Sequence, residues 1–281
     1  MDEALQRWIA AHPYLKPLAR FQAAVDEAVA AVPVPPLAPA RLDAYAEDHA
    51  AGVPLLHSAA AAVDLAPAGA QLAEVVARLA EGPHPEKLRA DAEALRQLLR
   101  SSPDARAAAL AFVRGDAEPA GAVAQAGLLR FLGWSALRAT LAPVLGAYAA
   151  WRAAAAAGGE DPWRRGECPT CGAPPPLAQL SSDEQGRRRT LTCGCCATTW
   201  AFRRTGCPFC GNESLERLGV LELEGEDRLR LDTCGSCGGY LKTYAGEGEE
   251  RVFLADWTTL HLDLVARERG LKRAGASLYD L

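Results

Sequence analysis

The residues best equipped for chemistry in this 281-residue chain are its nine cysteines, all between Cys168 and Cys237. Eight form four CxxC pairs, Cys168/Cys171, Cys193/Cys196, Cys207/Cys210 and Cys234/Cys237, and Cys195 is left over inside the second pair. A CxxC turn aims two sulfurs at one point, and two such turns complete a tetrahedral four-thiolate shell. Four pairs therefore predict two closed metal sites. Disulfides or scattered free thiols would not need this even spacing, with no cysteine elsewhere.

The intervals say which pairs share an ion. Between Cys171 and Cys193 come Pro174, Pro175 and Pro176, a polar stretch at 181–186 expected as a loop tip, and the short run 189–192. Between Cys210 and Cys234, residues 221–224 and 228–232 alternate around Gly225, which signals a hairpin. Sequential pairing puts Cys168, Cys171, Cys193 and Cys196 on one ion and Cys207, Cys210, Cys234 and Cys237 on the other. The two sets are only ten residues apart, which leaves an interleaved arrangement open. Cys195 lacks the knuckle spacing and reads as a small buried residue. In the knuckles Cys168-Pro-Thr-Cys171-Gly172 and Cys207-Pro-Phe-Cys210-Gly211, proline presets φ and glycine accepts a positive φ. That geometry aims backbone N–H groups at the thiolates. Sulfur-only ligation suits iron and zinc equally.

The elements that must position these sulfurs follow from periodicity. Residues 1–160 hold no cysteine, and apolar residues recur at helical spacing. The series are Leu18, Phe21, Val25, Val29; Leu72, Val75, Val76, Leu79; Leu88, Ala92, Leu95, Leu99; and Leu110, Val113. An apolar segment from Val123 to Leu132 and a second from Leu137 to Trp151 follow. The proline-rich stretch 33–39 predicts an extended connector. This half is expected to be an antiparallel helical bundle. Gly158, Gly159 and Pro162 mark a linker, and residues 238–244 predict one more strand. After an acidic loop (Glu247, Glu249, Glu250), Asp256 is expected to cap a last helix carrying Trp257, Leu260, Leu264 and Val265. The expected fold is thus α plus small β. Residues 1–160 form the bundle, 161–204 and 205–250 two tandem rubredoxin-like or zinc-ribbon modules, and 251–281 a C-terminal helix packed on them.

Charge narrows the functions. The formal net charge of −5 argues against a general polyanion binder. Residues 161–204 carry seven arginines against four acids, while 205–250 carry four basic residues against ten acids. Two solvated faces explain that split most simply, and a polar docking surface for a protein partner is the sharper reading. Charged residues interrupt every alanine-rich tract, so no apolar run of membrane length is expected. The acidic start lacks a signal-peptide core, which together with cysteines in metal spacing predicts the cytoplasm. His12, His49, His57, His84 and His261 are scattered without ligand or triad spacing, and phosphate-loop, dinucleotide, hydrolase and HExxH motifs are missing. The chain is therefore not expected to be an enzyme. Residues 52–56 (Gly-Val-Pro-Leu-Leu) either line a groove or start a helix.

The cysteine run resembles the formate dehydrogenase accessory protein family. The matching elements are Trp163 ahead of Cys168-Pro-x-Cys171-Gly, then Leu191-x-Cys193-x-x-Cys196 with Trp200, then Arg203 or Arg204 before Cys207-Pro-x-Cys210-Gly, and Cys234-x-x-Cys237 followed by Tyr240-Leu-Lys242. Residues 52–56 and Leu260-x-Leu-Asp263-Leu are similar as well. The second knuckle, Cys-Gly-Cys-Cys, departs from the family pattern. The resemblance implies a non-catalytic cytoplasmic assembly factor acting on the catalytic subunit of a respiratory formate dehydrogenase. It also implies two mononuclear iron ions, with zinc as the alternative. A rubredoxin-like electron carrier is the second expectation, and a zinc-ribbon nucleic-acid module, disfavoured by the acidic charge, the third. A homodimer is left open.

Overall fold

Helix-spaced apolar residues build the first half as the periodicity requires. The computed structural model describes residues 3–34, 36–117, 124–157, 161, 163–183, 186–247 and 251–279. Val123, most of the expected linker (158–160 and Pro162), and Glu249 and Glu250 lie outside them. Among the described residues, seven α-helices precede the cysteines: α1 Glu3–Ala11, α2 Lys16–Ala30, α3 Leu42–Ala51, α4 Ala66–Glu81, α5 Glu86–Arg100, α6 Pro103–Arg114 and α7 Ala126–Ala157. On α4, Leu72, Val75, Val76 and Leu79 are all fully buried. Each such side chain contributes about 1.5–3 kcal/mol. Helix α6 begins at Ser102, whose hydroxyl accepts from the Ala105 N–H at 3.1 Å, with Pro103 in the first turn. The described part of 33–39 forms neither helix nor strand.

Helix α7 departs from expectation in two ways. The two apolar segments are one helix of 32 residues that runs through Pro143. Pro143 lies on the exposed side of the helix. By length and composition α7 is also apolar enough to cross a membrane, contrary to the expectation above, although over half of its most apolar window is buried inside the protein. From Leu129 to Leu137 it is buried nearly all round, and beyond that along the single stripe Leu141, Val144, Tyr148 and Arg152. A helix covered on several sides has no polar face to show. One side packs on α4 and α6; the other shares a core with Cys168, Cys195, Leu191 and Trp200.

Leu191 and Trp200 belong to a seven-stranded sheet whose main path runs in the order β3-β2-β1-β6-β5-β4. Its strands are β1 Leu177–Asp183, β2 Gly186–Thr192, β3 Thr199–Phe202, β4 Leu218–Glu222, β5 Leu229–Cys234, β6 Gly239–Ala245 and the short β7 Lys272–Arg273 beside β6. The first ribbon is β1–β3 and the second β4–β6. A parallel pairing of β1 with β6, from Leu177↔Lys242 to Leu180↔Ala245, fuses them into one sheet. The polar residues 181–183 are strand rather than loop tip, because β1 is hydrogen-bonded to β2 as far as Asp183↔Gly186.

After a single turn of helix, α8 Arg251–Leu254, the chain closes with α9 Leu260–Glu268 across the sheet. Asp256 is not its cap. It starts a 3-10 turn, and its side chain, 7% exposed, turns inward. The buried face of α9 carries Leu260, Leu262, Asp263 and Ala266, while Leu264 is exposed.

Two four-sulfur clusters as the candidate metal centre

Each knuckle is a tight turn closed by its own backbone. Gly172 N donates to Cys168 O at 2.9 Å, Gly211 N to Cys207 O at 3.0 Å, Gly238 N to Cys234 O at 2.8 Å and Ala197 N to Cys193 O at 3.2 Å. The residue after the second cysteine takes a left-handed φ of +76°, +72° and +72° at Gly172, Gly211 and Gly238. At the divergent knuckle it is Ala197, held at +61° against the preference of a residue with a Cβ.

These turns gather the sulfurs into two groups, Cys168, Cys171, Cys193, Cys196 and Cys207, Cys210, Cys234, Cys237, within 4.8 Å inside each. In the first, Cys168 Sγ lies 3.4 Å from Cys196 Sγ and Cys171 Sγ 3.5 Å from Cys193 Sγ. In the second, Cys207–Cys237 and Cys210–Cys234 both stand at 3.7 Å. A tetrahedral ion with metal–sulfur bonds of about 2.3 Å needs sulfurs about 3.8 Å apart, so both donor sets fit such a group. The grouping follows the sequential rather than the interleaved scheme. Backbone N–H groups approach the sulfurs as that chemistry asks: Thr170 N to Cys168 Sγ at 3.4 Å, Cys195 N and Cys196 N to Cys193 Sγ at 3.3 and 3.4 Å, and Gly239 N to Cys237 Sγ at 3.4 Å.

The first cluster is enclosed. Three successive carbonyls of its leading knuckle accept bonds from the helical half: Pro169 O from Leu55 N at 2.9 Å, Thr170 O from Leu56 N at 2.9 Å, and Cys171 O from His57 Nε2 at 3.2 Å. Within residues 52–56, Pro54 lines an open cavity of about 540 Å³, and Leu55 and Leu56 start a 3-10 turn that clasps the knuckle. Arg138 of α7 reaches the opposite knuckle and donates to the carbonyls of Gly194 and Cys195. Cys195, 1% exposed, stands outside both groups. A hydrogen bond with Cys193, then burial, pushes its thiol far up and keeps it neutral. Burial alone would raise Cys193 too, but bonds from its neighbouring thiols outweigh that and hold it well below the ordinary range.

The second cluster meets solvent: Cys210 is exposed and Cys237 half-buried. Burial raises Cys207 to about 12. At Cys234 the smaller burial is overcome by the N–H groups of Cys237 and Ser236, which bring the thiol down to about 7. Behind this ribbon lies a charged core that sequence periodicity does not reveal. Lys242, 1% exposed, donates to Asp256 Oδ1 at 2.5 Å and Asp263 Oδ2 at 2.7 Å, and Tyr240 donates to Asp263 Oδ1 at 2.6 Å. This network explains the Tyr240-Leu-Lys242 and Asp263 positions, since it bolts α9 to β6. The histidines are not all idle either. His49 packs between Tyr148 and Trp163 beside Asp161, and His12 and His261 stack with ring centres 5.4 Å apart.

Known proteins resemble this arrangement. No model of a known protein family matches the chain. An FdhE homologue of Aquifex aeolicus is 32% identical over 111 residues, 38% of this chain and 39% of that protein. One from Pseudomonas aeruginosa is 33% identical over 123 residues, 40% of this chain and 38% of that protein. The matched stretch thus spans under two-fifths of either relative. The crystal structure of the FdhE protein from Pseudomonas aeruginosa superposes with a TM-score of 0.62 at 24% identity, covering 98% of this chain and 93% of that one, which shows a shared fold.

Proposed function

We propose that this chain belongs to the formate dehydrogenase accessory protein family and is a cytoplasmic, non-catalytic assembly factor for a respiratory formate dehydrogenase, acting on the catalytic subunit. The observation that carries this reading is the pair of four-sulfur clusters in a fold common to an FdhE protein. Cys168, Cys171, Cys193 and Cys196 would hold one ion and Cys207, Cys210, Cys234 and Cys237 the other, iron by our reading and zinc as the alternative. Either ion supplies the cross-link that a ribbon this small lacks, and iron adds a one-electron couple. The chain's own residues do the rest: N–H groups spread the thiolate charge, and the 52–56 clasp and Arg138 exclude water from the first cluster. We retain 1–160, 161–204, 205–250 and 251–281 as the functional units.

For the client surface we assign the groove of about 990 Å³ between α7 and strands β2 and β3. Exposed Arg164, Arg187, Arg188 and Arg203 surround it and buried Trp200 lies at its floor, a surface suited to an acidic segment of the client. Capture of a formate dehydrogenase catalytic subunit from a producing host, with activation of the enzyme, tests the reading. Serine at both Cys207 and Cys210 is expected to abolish both, and retention of both would overturn it. The exposure of Cys210 favours electron transfer as a second reading. Protein purified from its own host would then be red and reversibly reducible, whereas colourless two-zinc protein that still supports activation would exclude it.

A further inference from the structure

Three side chains that can ligate a metal converge from three distant segments. His12 follows α1, Glu226 sits in the β4–β5 turn and His261 lies in the first turn of α9. His12 Nε2 stands 3.7 Å and His261 Nε2 3.0 Å from the same Glu226 oxygen, and the ligand atoms all lie within 4.8 Å of one another. His12 Nδ1 lies 3.0 Å from the Trp8 carbonyl, which can only accept, so Nδ1 carries a proton and Nε2 is the ring nitrogen that faces the carboxylate. Both ring nitrogens of His261 are buried and make no hydrogen bond.

With Nε2 of both rings turned on one Glu226 carboxylate oxygen, an ion placed between the three atoms would be ligated by all of them. The local structure is well fixed. Glu226 N donates to Leu223 O at 3.1 Å and Leu229 N to Glu226 O at 3.2 Å. The Trp8 ring covers His12 at 4.0 Å, and its N–H is anchored on Thr258 O at 3.0 Å. A histidine that gives its other N–H to a backbone carbonyl is the usual partner arrangement of a metal ligand. A tetrahedral ion with bonds of about 2.0–2.1 Å sets its donors about 3.3 Å apart, between the two separations seen here.

We propose that His12, Glu226 and His261 form a third metal site, for a borderline divalent ion of the zinc, cobalt or nickel class, with two imidazoles and one carboxylate as ligands. It is distinct from the thiolate clusters in donor chemistry and independent of the client assignment. The side chains are 16–19% exposed, so the ion can enter from solvent and keep a fourth position for water or an incoming donor. Its effect is to tie the N-terminal helix, the tip of the second ribbon and the C-terminal helix together, stabilising that junction whenever the ion is bound.

The test uses full-length protein without a histidine tag, its thiolate sites filled with zinc, dialysed against cobalt. One further cobalt per chain is expected, with ligand-field absorption and no sulfur-to-metal charge-transfer band. Charge transfer would instead report cobalt in the cysteine clusters, so the two assignments are read separately. Glu226→Gln and His261→Ala should each weaken uptake of that cobalt at least tenfold and leave the zinc content unchanged. His12→Gln, near the surface, supplies the same readout if His261→Ala does not fold. Wild-type protein that takes up no cobalt beyond the thiolate sites, or variants that take it up with unchanged affinity, would overturn the proposal.

Discussion

The two clusters share a knuckle and differ in everything around it. The first is roofed by residues 55–57, tied to α7 through Arg138 and buried at every cysteine; the second leaves Cys210 in solvent and leans on a charged core around Lys242. The same local turn has thus been placed once as the keystone between two halves of the protein and once at its periphery. The contrast teaches that the CxxC sequence sets where sulfurs point, while the packing of distant helices decides whether water and partners can reach them.

The sharpest way to break this comparison is to remove one sulfur from each side. A structural four-thiolate site carries about 10–16 kcal/mol of apparent binding energy that is also folding energy. Cys171→Ser should therefore leave the junction between bundle and sheet unformed, with both ions lost and no cooperative melt. Cys210→Ser should fold, retain one ion per chain and melt only slightly earlier. Metal analysis with a thermal scan checks both, and equal behaviour of the two variants would erase the distinction.

Lys242→Met probes the support of the second ribbon. It leaves Asp256 and Asp263 facing each other without their central cation, which costs about 3–5 kcal/mol. Urea unfolding should register that loss, and hydrogen exchange should place it in α9, β5 and β6 rather than around the first cluster.

Smaller is the effect of Asp161→Asn at the joint of α7 with the first ribbon. Burial works against ionisation of Asp161, but His49, the Trp163 N–H and Arg152 overcome it and bring the carboxyl down to about 2. Because the folded value lies below the unfolded one, its stabilisation is complete above about pH 4 and is lost as the pH falls toward 2. Wild type should thus be the more stable at pH 6, and the gap should close at pH 2. A constant gap would mean that the carboxylate charge is not involved.

The finest adjustment is Ala197→Gly, which relieves a left-handed alanine in the one knuckle that lacks glycine. It should stabilise the first cluster by about 0.5–1 kcal/mol. A loss of stability would show that the Ala197 methyl contributes more through packing than its backbone costs.

The grouping of the eight sulfurs was legible from sequence because a CxxC turn is local and its ligand direction depends on a handful of dihedrals. Helices α4 and α5 were legible for the same reason, their apolar residues repeating within one element. What escaped depends on distance along the chain. The strand at 181–183 looks like a loop until β1 is laid between β2 and β6. Asp256 looks like a helix cap until Lys242 is brought to it. His12, Glu226 and His261 carry no spacing signal, since only the closed fold makes them neighbours. Helix α7 was divided in two because its first half is buried almost all round and shows no periodic face.

The parallel pairing of β1 with β6 gives this protein a temporal order. Strand β1 leaves the ribosome well before β6 exists, so one of its edges must wait, unzipped, for a segment still being translated. When β6 arrives it seals that edge, and Lys242 on the same strand recruits α9 behind it. A nascent chain halted before β6 would carry that edge of β1 bared, and only the two-residue β7 beside β6 joins the sheet later.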